Sequence, residues 1–336
     1  MSIDFSTLQG LTIPEGVVTQ IAKDGVVLWA LSTATDEPTV ILEVAKQTMS
    51  TYSGGTTYDN EEFVLLDIYP KKGGTVKVTY GGLTKTIKDT SGAEEPNAIQ
   101  VFFGTFNGVS DDVETPASGT LTIEGAYRGY GAGSWINAKS NITYCQCITG
   151  CSNIGNPVYI GAYTFYQCTS LALTSLPDGI THIGAYAFYQ CTGLTLTSLP
   201  IALKDIGAYA FYQCTGLTLT SLPDGVITVG DYILYGCSNI TDITIPSSVT
   251  ELGLRSLQCH QYEKVEGGTI WCDTNVKMLG TTPPTMAEES STYDDSGAFG
   301  RESLYEGIIT VPKGCGETYK SADVWNHYAD EIVEAS

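Results

Sequence analysis

The sequence has no apolar run long enough to cross a bilayer: nothing in its 336 residues approaches the ~18 that a spanning helix needs. Membrane insertion is therefore not expected. A secretory signal is missing from view as well. It requires a basic start and an apolar run of roughly 7–15 residues, whereas the first fifteen residues contain Asp4, Pro14 and Glu15 and no such run. Export would then follow removal of a signal or use another route, release in a phage particle being one. Basic residues are few, 16 Lys and Arg against 37 Asp and Glu, for a formal charge of −21. A chain this acidic repels phosphate, which argues against nucleic acid as a partner. Solubility is the plain reading of the charge.

Histidine is scarcer still, only His182, His260 and His327. Cys259-His260 with Cys272 matches no standard zinc spacing. Glu288-Glu289 and Asp294-Asp295 lack the alternating acids of a calcium loop. No Ser/His/Asp or Cys/His set stands out for nucleophilic catalysis, and no paired carboxylates suggest acid–base work. The expectation is no metal, no cofactor, no catalytic residue, and no enzyme.

What the chain does have is a repeat. Cys168, Cys191, Cys214 and Cys237 are 23 residues apart, and Pro177, Pro200, Pro223 and Pro246 follow each by nine. Gly161, Gly184, Gly207 and Gly230 form a third row; Phe165, Phe188, Phe211 and Leu234 form a fourth. The flanking units are degenerate: only 17 residues separate Cys151 from Cys168, and Cys259 falls one residue early. A unit of this length cannot bury its own apolar face, but stacked units can, with equivalent strands about 4.8 Å apart. The prolines should close strands, since they cannot donate to a ladder, and the glycine row should mark a bend between faces.

The stretch Ile183-Gly184-Ala185-Tyr186-Ala187-Phe188-Tyr189-Gln190-Cys191, and its copy from Ile206 to Cys214, resembles the BspA-like leucine-rich repeat of bacterial surface proteins. The resemblance spans roughly Asn141 to Val276. The C-terminal run Ile309-Thr310-Val311-Pro312, then Tyr319 to Trp325, resembles the closing segment of such arrays. Trp325, Tyr328 and Ile332 lie at i, i+3 and i+7, which predicts one face of a short helix capping the last coil. One feature departs from the family. Leucine-rich repeats run L-x-x-L-x-L, but here the middle position is Thr174, Thr197 or Thr220, with Leu173, Leu196 or Leu219 one place earlier. Adjacent strand residues cannot both face inward. Burying Leu is worth about 1.5–3 kcal/mol, so the leucines are predicted to face the core and the threonines the solvent.

The front half reads differently. Residues 1–31 suggest two short strands, Val17 to Ile21 and Val26 to Trp29, around Lys23-Asp24-Gly25, and Leu11 to Trp29 resembles the lead segment of phage and prophage tail-associated proteins. Beyond it, candidate strands are Val40–Ala45, Glu62–Tyr69, Thr75–Tyr80, Leu83–Lys88, Ile99–Phe106 and Gly119–Glu124. Gly81-Gly82 is a two-residue hairpin signal. Several short strands in about ninety residues fit an immunoglobulin-like sandwich without its Cys…Trp…Cys core. The Gly- and Tyr-rich stretch Gly125 to Gly133 is placed at the domain junction. The expected organisation is a mainly β chain: an N-terminal strand segment (1–31), a β-sandwich (32–133), a leucine-rich-repeat solenoid (134–280) and a capping segment (281–336).

The repeated cysteines should be free thiols pointing into the core, because parallel side-chain vectors meet the disulfide dihedral poorly. Cys145, Cys147, Cys259, Cys272 and Cys315 are left open. Two tyrosine ladders, Tyr163, Tyr186, Tyr209, Tyr232 and Tyr166, Tyr189, Tyr212, Tyr235, are the candidate ligand-binding residues; the bland alternative is that they brace neighbouring coils. The resemblance implies a non-enzymatic recognition or adhesion protein, extracellular or on the bacterial surface, with a host or cell-surface protein or glycan as partner. The alternative is a tail-associated structural or receptor-binding protein of a phage virion, with other virion proteins as partners.

Overall fold

The computed structural model describes residues 17–18, 31–32, 37–53, 56–93, 97–106, 109–110, 118–136, 142–144, 148–260, 263–265, 268–270, 274–287, 296–301 and 305–336. Of the N-terminal segment only Val17–Val18 and Leu31–Ser32 are described, as an antiparallel pair. The rest of Leu11 to Trp29 lies outside the described residues.

The front half forms two facing sheets. One is antiparallel, in the order Ile148–Asn153, Glu37–Ala45, Ser118–Gly125, Thr75–Tyr80, Leu83–Lys88. The other is centred on the long strand Thr56–Pro70, with Gln47–Ser53 and Tyr127–Ala132 along one edge and Ile99–Phe106 along the other. Period-two alternation puts Val40, Leu42, Val76, Val78, Leu121 and Ile123 inside, against Val64, Leu66, Val101 and Phe103, all buried. Tyr80 meets Phe103 edge-on across the sheets at 5.7 Å. Gly81 and Gly82, at φ 59° and 80°, make the expected hairpin between Tyr80 and Leu83.

The strand order is not that of an immunoglobulin domain. There the last two strands are neighbours in one sheet; here Ser118–Gly125 and Tyr127–Ala132 belong to different sheets. A register shift between Ile123 and Gly125, with Gly125 at φ 100°, turns the chain. Ala126 then bonds across to Thr75 and Lys71, and the chain enters the second sheet, where Tyr127 and Tyr130 are fully buried.

The glycine- and tyrosine-rich stretch read as a junction is therefore a strand, and it joins the two halves. Tyr127–Ala132 pairs antiparallel with Thr56–Pro70 on one side and parallel with Tyr159–Ile160 on the other. A Cβ on Gly129 would stand 2.2 Å from the Tyr159 carbonyl oxygen, and one on Gly131 2.9 Å from the Gly161 Cα. Only glycine lets the backbones approach this closely. Tyr130 packs edge-on against Phe165 and donates its hydroxyl to the Ile154 carbonyl. The front sheet thus continues into the repeat and covers its first coil, as the open end of a stack requires.

From there the chain is a solenoid of short parallel strands. The first ladder runs Tyr159–Ile160, His182–Ile183, Asp205–Ile206, Thr228–Val229, Glu251–Leu252 and Thr285–Met286. The second residues of the first five strands are buried and Met286 of the sixth partly so, while the glycine after each of the first five packs on the coil before. Across the core, Leu196 and Leu219 are buried and Leu173 partly so, with Thr174, Thr197 and Thr220 exposed. The leucine-in, threonine-out expectation holds, but no regular strand forms there. Leu196 and Leu199 both face inward, so Thr197 and Ser198 are both outward, and period-two pairing breaks. A second ladder starts only where the spacing becomes Ile-x-x-Ile-x-Ile, at Ile240, Ile243 and Ile245: Asp242–Ile245, Asn275–Met278, Ile309–Val311 and Ile332–Glu334.

That last strand corrects the capping helix. Trp325–Tyr328 is a single 3-10 turn, and Ile332 has left it to pair with Ile309. Four residues end the turn before the third position of the pattern, and the open edge of the ladder offers Ile332 both hydrogen bonds and burial. The cap is nonetheless aromatic: Trp325, Tyr328 and Tyr319 are buried, and their polar tips donate to the carbonyls of Pro284, Gly300 and Gly280.

Candidate functional site

The turn after each first-ladder strand carries the tyrosines. In residues 162–167 the backbone is neither helix nor strand: Tyr163, Phe165 and Gln167 donate their N–H groups to the carbonyls of Ala185, Ala187 and Tyr189 in the next coil. The pattern recurs from Tyr186, Phe188 and Gln190 to Ala208, Ala210 and Tyr212. The first and last donors of each of these turns are left-handed, while the central Phe is not. Tyr163, Tyr186, Tyr209 and Tyr232 sit at φ 55–58°, and Gln167, Gln190 and Gln213 at φ 53–57°. A left-handed conformation costs a non-glycine residue roughly 1–2 kcal/mol, so something must compensate.

Stacking does. The ring centroids of Tyr163, Tyr186, Tyr209 and Tyr232 follow one another at 4.7, 4.7 and 4.8 Å, with planes within 13°. Tyr166, Tyr189, Tyr212 and Tyr235 do the same at 4.8, 4.7 and 5.1 Å, within 9°. The two rows touch at 5.5–5.7 Å. Each such pair contributes about 0.5–1.5 kcal/mol beyond burial. Beside the rows, Gln167 donates to Gln190 at 2.8 Å and Gln190 to Gln213 at 2.6 Å, an amide chain along the axis. All eight tyrosines are half-buried.

The structure therefore brings together every predicted tyrosine in one slab, and its geometry limits the slab's chemistry. Inside the rows the ring faces cover one another, so the surface consists of ring edges, hydroxyls and amides, not open faces for stacking. Burial, then the neighbouring phenols, push the hydroxyls of Tyr186, Tyr189 and Tyr212 above their ordinary range, and that of Tyr209 to about 12. The slab is uncharged at neutral pH. It ends at the fifth rung, where Arg255, at φ 49°, and Gln258 take the tyrosine positions and are buried beneath the turn at Gly297 to Gly300.

Behind the slab lie two further ladders. Phe165, Phe188 and Phe211 stack at 5.3 Å. Cys168, Cys191, Cys214 and Cys237 are free and buried, and their thiols donate to the carbonyls of Ile148, Phe165, Phe188 and Phe211 at 2.9–3.1 Å. Desolvation pushes the Cys168 thiol to about 12 and raises the other three as well. These thiols are structural donors and poor nucleophiles.

Two features escaped sequence reasoning. On the strand face, the Thr181 hydroxyl lies 2.7 Å from His182 Nδ1, and His182 Nε2 lies 3.0 Å from Asp205. Residue order looks triad-like only after folding, because Asp205 comes from the next coil. The His182 and Asp205 side chains are about half exposed on an open sheet, and the Thr181 hydroxyl also reaches the Val158 carbonyl, so the set lacks the enclosure nucleophilic catalysis needs. The second is a groove of about 460 Å³ at the far end of the strand face, between Asp231, Glu251 and Met286. Its only sequence signal is the change from Ala208 to Asp231 along one row. Cys259 is buried, and His260 faces the Thr274 hydroxyl at 3.2 Å. Cys145, Cys147, Cys272, Glu288, Glu289, Asp294 and Asp295 lie outside the described residues. Among the described residues no group of three or more His, Cys, Asp or Glu side chains could hold a metal ion, and no helix is long and apolar enough to cross a membrane.

Parallel two-residue strands stacked every 23 residues around a Phe/Cys core define a leucine-rich-repeat solenoid. More narrowly, residues 139–267 match the BspA type leucine rich repeat region in six copies. Among solved structures, a leucine-rich repeat protein from Bacteroides ovatus ATCC 8483 matches 29% of this chain and 31% of its own, at 24% identity and a TM-score of 0.24. The match thus spans about a third of that protein's length. No curated protein matches the chain.

Proposed function

We propose that the chain is a non-enzymatic recognition or adhesion protein acting outside a bacterial cell, with the solenoid as its binding surface. The observation that carries this reading is the tyrosine slab, eight half-exposed rings and a glutamine chain held in register on a rigid core. Tyrosine supplies contact area at little entropic cost, and interface centres favour it over Lys, Glu and Asp. Charge points the same way. Residues 160–240 carry 4 acids and 1 base, whereas the rest of the chain carries 33 acids and 15 bases. The stretch that carries the slab is thus low in charge for so acidic a chain. Repeats of the BspA type are generally surface or extracellular and without catalysis, which supports the location and the absence of chemistry.

The test is a panel of host proteins and glycans probed with the full chain and with Tyr189→Ser/Tyr212→Ser. A ligand retained by the natural chain and lost by the variant is the expected result. Turnover of any glycan or peptide substrate, abolished by one carboxylate substitution, would replace this reading with an enzymatic one.

A further inference from the structure

The slab has a period, and that period selects among ligands. Its rings repeat at 4.7–5.1 Å along the solenoid axis, and its amides are chained rung to rung over three of the four coils. Its rings are also in register: in five of the six steps successive rings lie within 9° of parallel. Flat, in-register ladders of tyrosine and glutamine at 4.7–4.8 Å are the side-chain surface of cross-β assemblies.

We infer that this face docks laterally on a cross-β fibre, an in-register stack of β-strands whose axis runs along the solenoid axis. This rests on the recognition reading above and names the class of partner. An extended peptide laid along the axis would present side chains of one face every ~6.6–6.8 Å, which falls out of step with the rungs at once. A cross-β fibre stays in step over all four. The size of the slab decides against a second copy of the chain. It is two rows wide and three ring-to-ring steps long, well short of the ~800 Å² per partner that a stable pairwise interface buries. A polymer accommodates so small a footprint, because many surface-tethered copies can hold one fibre and gain by avidity. Fibre faces are commonly low in net charge, and the slab is the uncharged part of a chain of net charge −21.

The experiment is co-sedimentation of the full chain with cross-β fibrils grown from a synthetic polyglutamine peptide. The same peptide as soluble monomer and microcrystalline cellulose serve as separate arms. Fibrils should bring the protein down, and neither monomer nor cellulose should. Gln190→Glu places a charge within the slab at a half-buried position and removes its donation to Gln213, so it should lower the melting temperature modestly and, at a temperature where circular dichroism shows the variant folded, weaken fibril binding at least tenfold. Thr197→Glu, on the exposed threonine row across the core, should leave binding intact. Equal binding to monomer and fibril overturns the inference, as does a Gln190→Glu variant that binds normally. Retention on cellulose alone would mean that the slab reads a glycan, and the fibre would be wrong. If the fibrils fail while the protein and glycan panel yields a slab-dependent ligand, only this inference falls; if both fail, the recognition reading falls with it.

Discussion

A single position, repeated, sets much of the chemistry of this solenoid. Each ladder cysteine sits where only a small, weakly polar donor fits, with its thiol on a carbonyl that also accepts a backbone N–H: Phe188 receives both Cys191 N–H and Cys214 Sγ. Cys214→Ala should cost about 1–2 kcal/mol, through a small cavity and the lost donor. Native protein at pH 8 should resist alkylation at Cys168, Cys191, Cys214 and Cys237, and denatured protein should label at all four. Mass spectrometry showing labelling without denaturant, or a disulfide among them, would contradict the buried-donor role. The left-handed positions make a sharper contrast. Tyr209 loses two stacked neighbours on truncation, so Tyr209→Ala should destabilise by about 2–3 kcal/mol. Gln213→Gly gives up one amide bond but relieves a left-handed residue, and Gly236 holds the equivalent place one coil on, at φ 74°. It should be near neutral in a denaturant titration.

At the scale of elements, spacing within a coil decides whether a strand forms. Leu-x-Leu-x-x-Leu buries its leucines but forfeits the ladder, while Ile-x-x-Ile-x-Ile keeps both, which is why the second ladder begins late. The junction strand depends on glycine for a different reason. Gly129→Ala would drive a Cβ into the Tyr159 carbonyl, and a backbone clash of this kind costs roughly 1–3 kcal/mol or more. Gly179 has nothing within 4 Å of a Cβ and no left-handed φ, so Gly179→Ala is the neutral control. Calorimetry should show the single transition of the natural chain splitting in Gly129→Ala, as the front sheets and the repeat uncouple. A single unshifted transition would mean that the shared strand is dispensable.

For the whole molecule, the buried thiols and stacked phenols impose a pH dependence. Burial raises the four ladder thiols above the ordinary 9.0 for Cys, and the hydroxyls of Tyr186, Tyr189, Tyr209 and Tyr212 above the ordinary 10.0 for Tyr, with Cys168 and Tyr209 each near 12. The fold therefore favours their protonated forms. That stabilisation is complete below the unfolded values and is lost as pH rises through the folded ones. Stability measured by urea titration should fall steadily between about pH 9 and 12, and tyrosinate absorbance should appear late and together with unfolding. Normal tyrosine titration of a still-folded chain would show that the slab does not hold its protons. On the acid side, Glu334, held low by the N–H groups of Gly314 and Gly316, and Asp242, held low by Asn275 and Thr241, act in the opposite sense. Their contribution fades as pH falls through the folded values.

The sequence by itself determined the repeat, the inward thiols, the leucine-in register and the identity of all eight slab tyrosines, because each is a periodic property and a 23-residue period survives translation into a stack. It also located most front strands, whose alternation is local. What only the tertiary structure decided is how non-repeating pieces close on the repeat. Gly125 to Gly133 carries no strand signal, since glycine is a poor strand former until a second backbone must approach it. Tyr127–Ala132 becomes a strand because two edges, one on each side, supply its hydrogen bonds. Ile332 fits a helix face by spacing, yet the free edge at Ile309 takes it. The tyrosines could be read as a ligand surface or as a brace. Packing at 4.7 Å shows the brace, with the ring faces spent on one another, and leaves the ring edges half-exposed as the surface proposed for a partner.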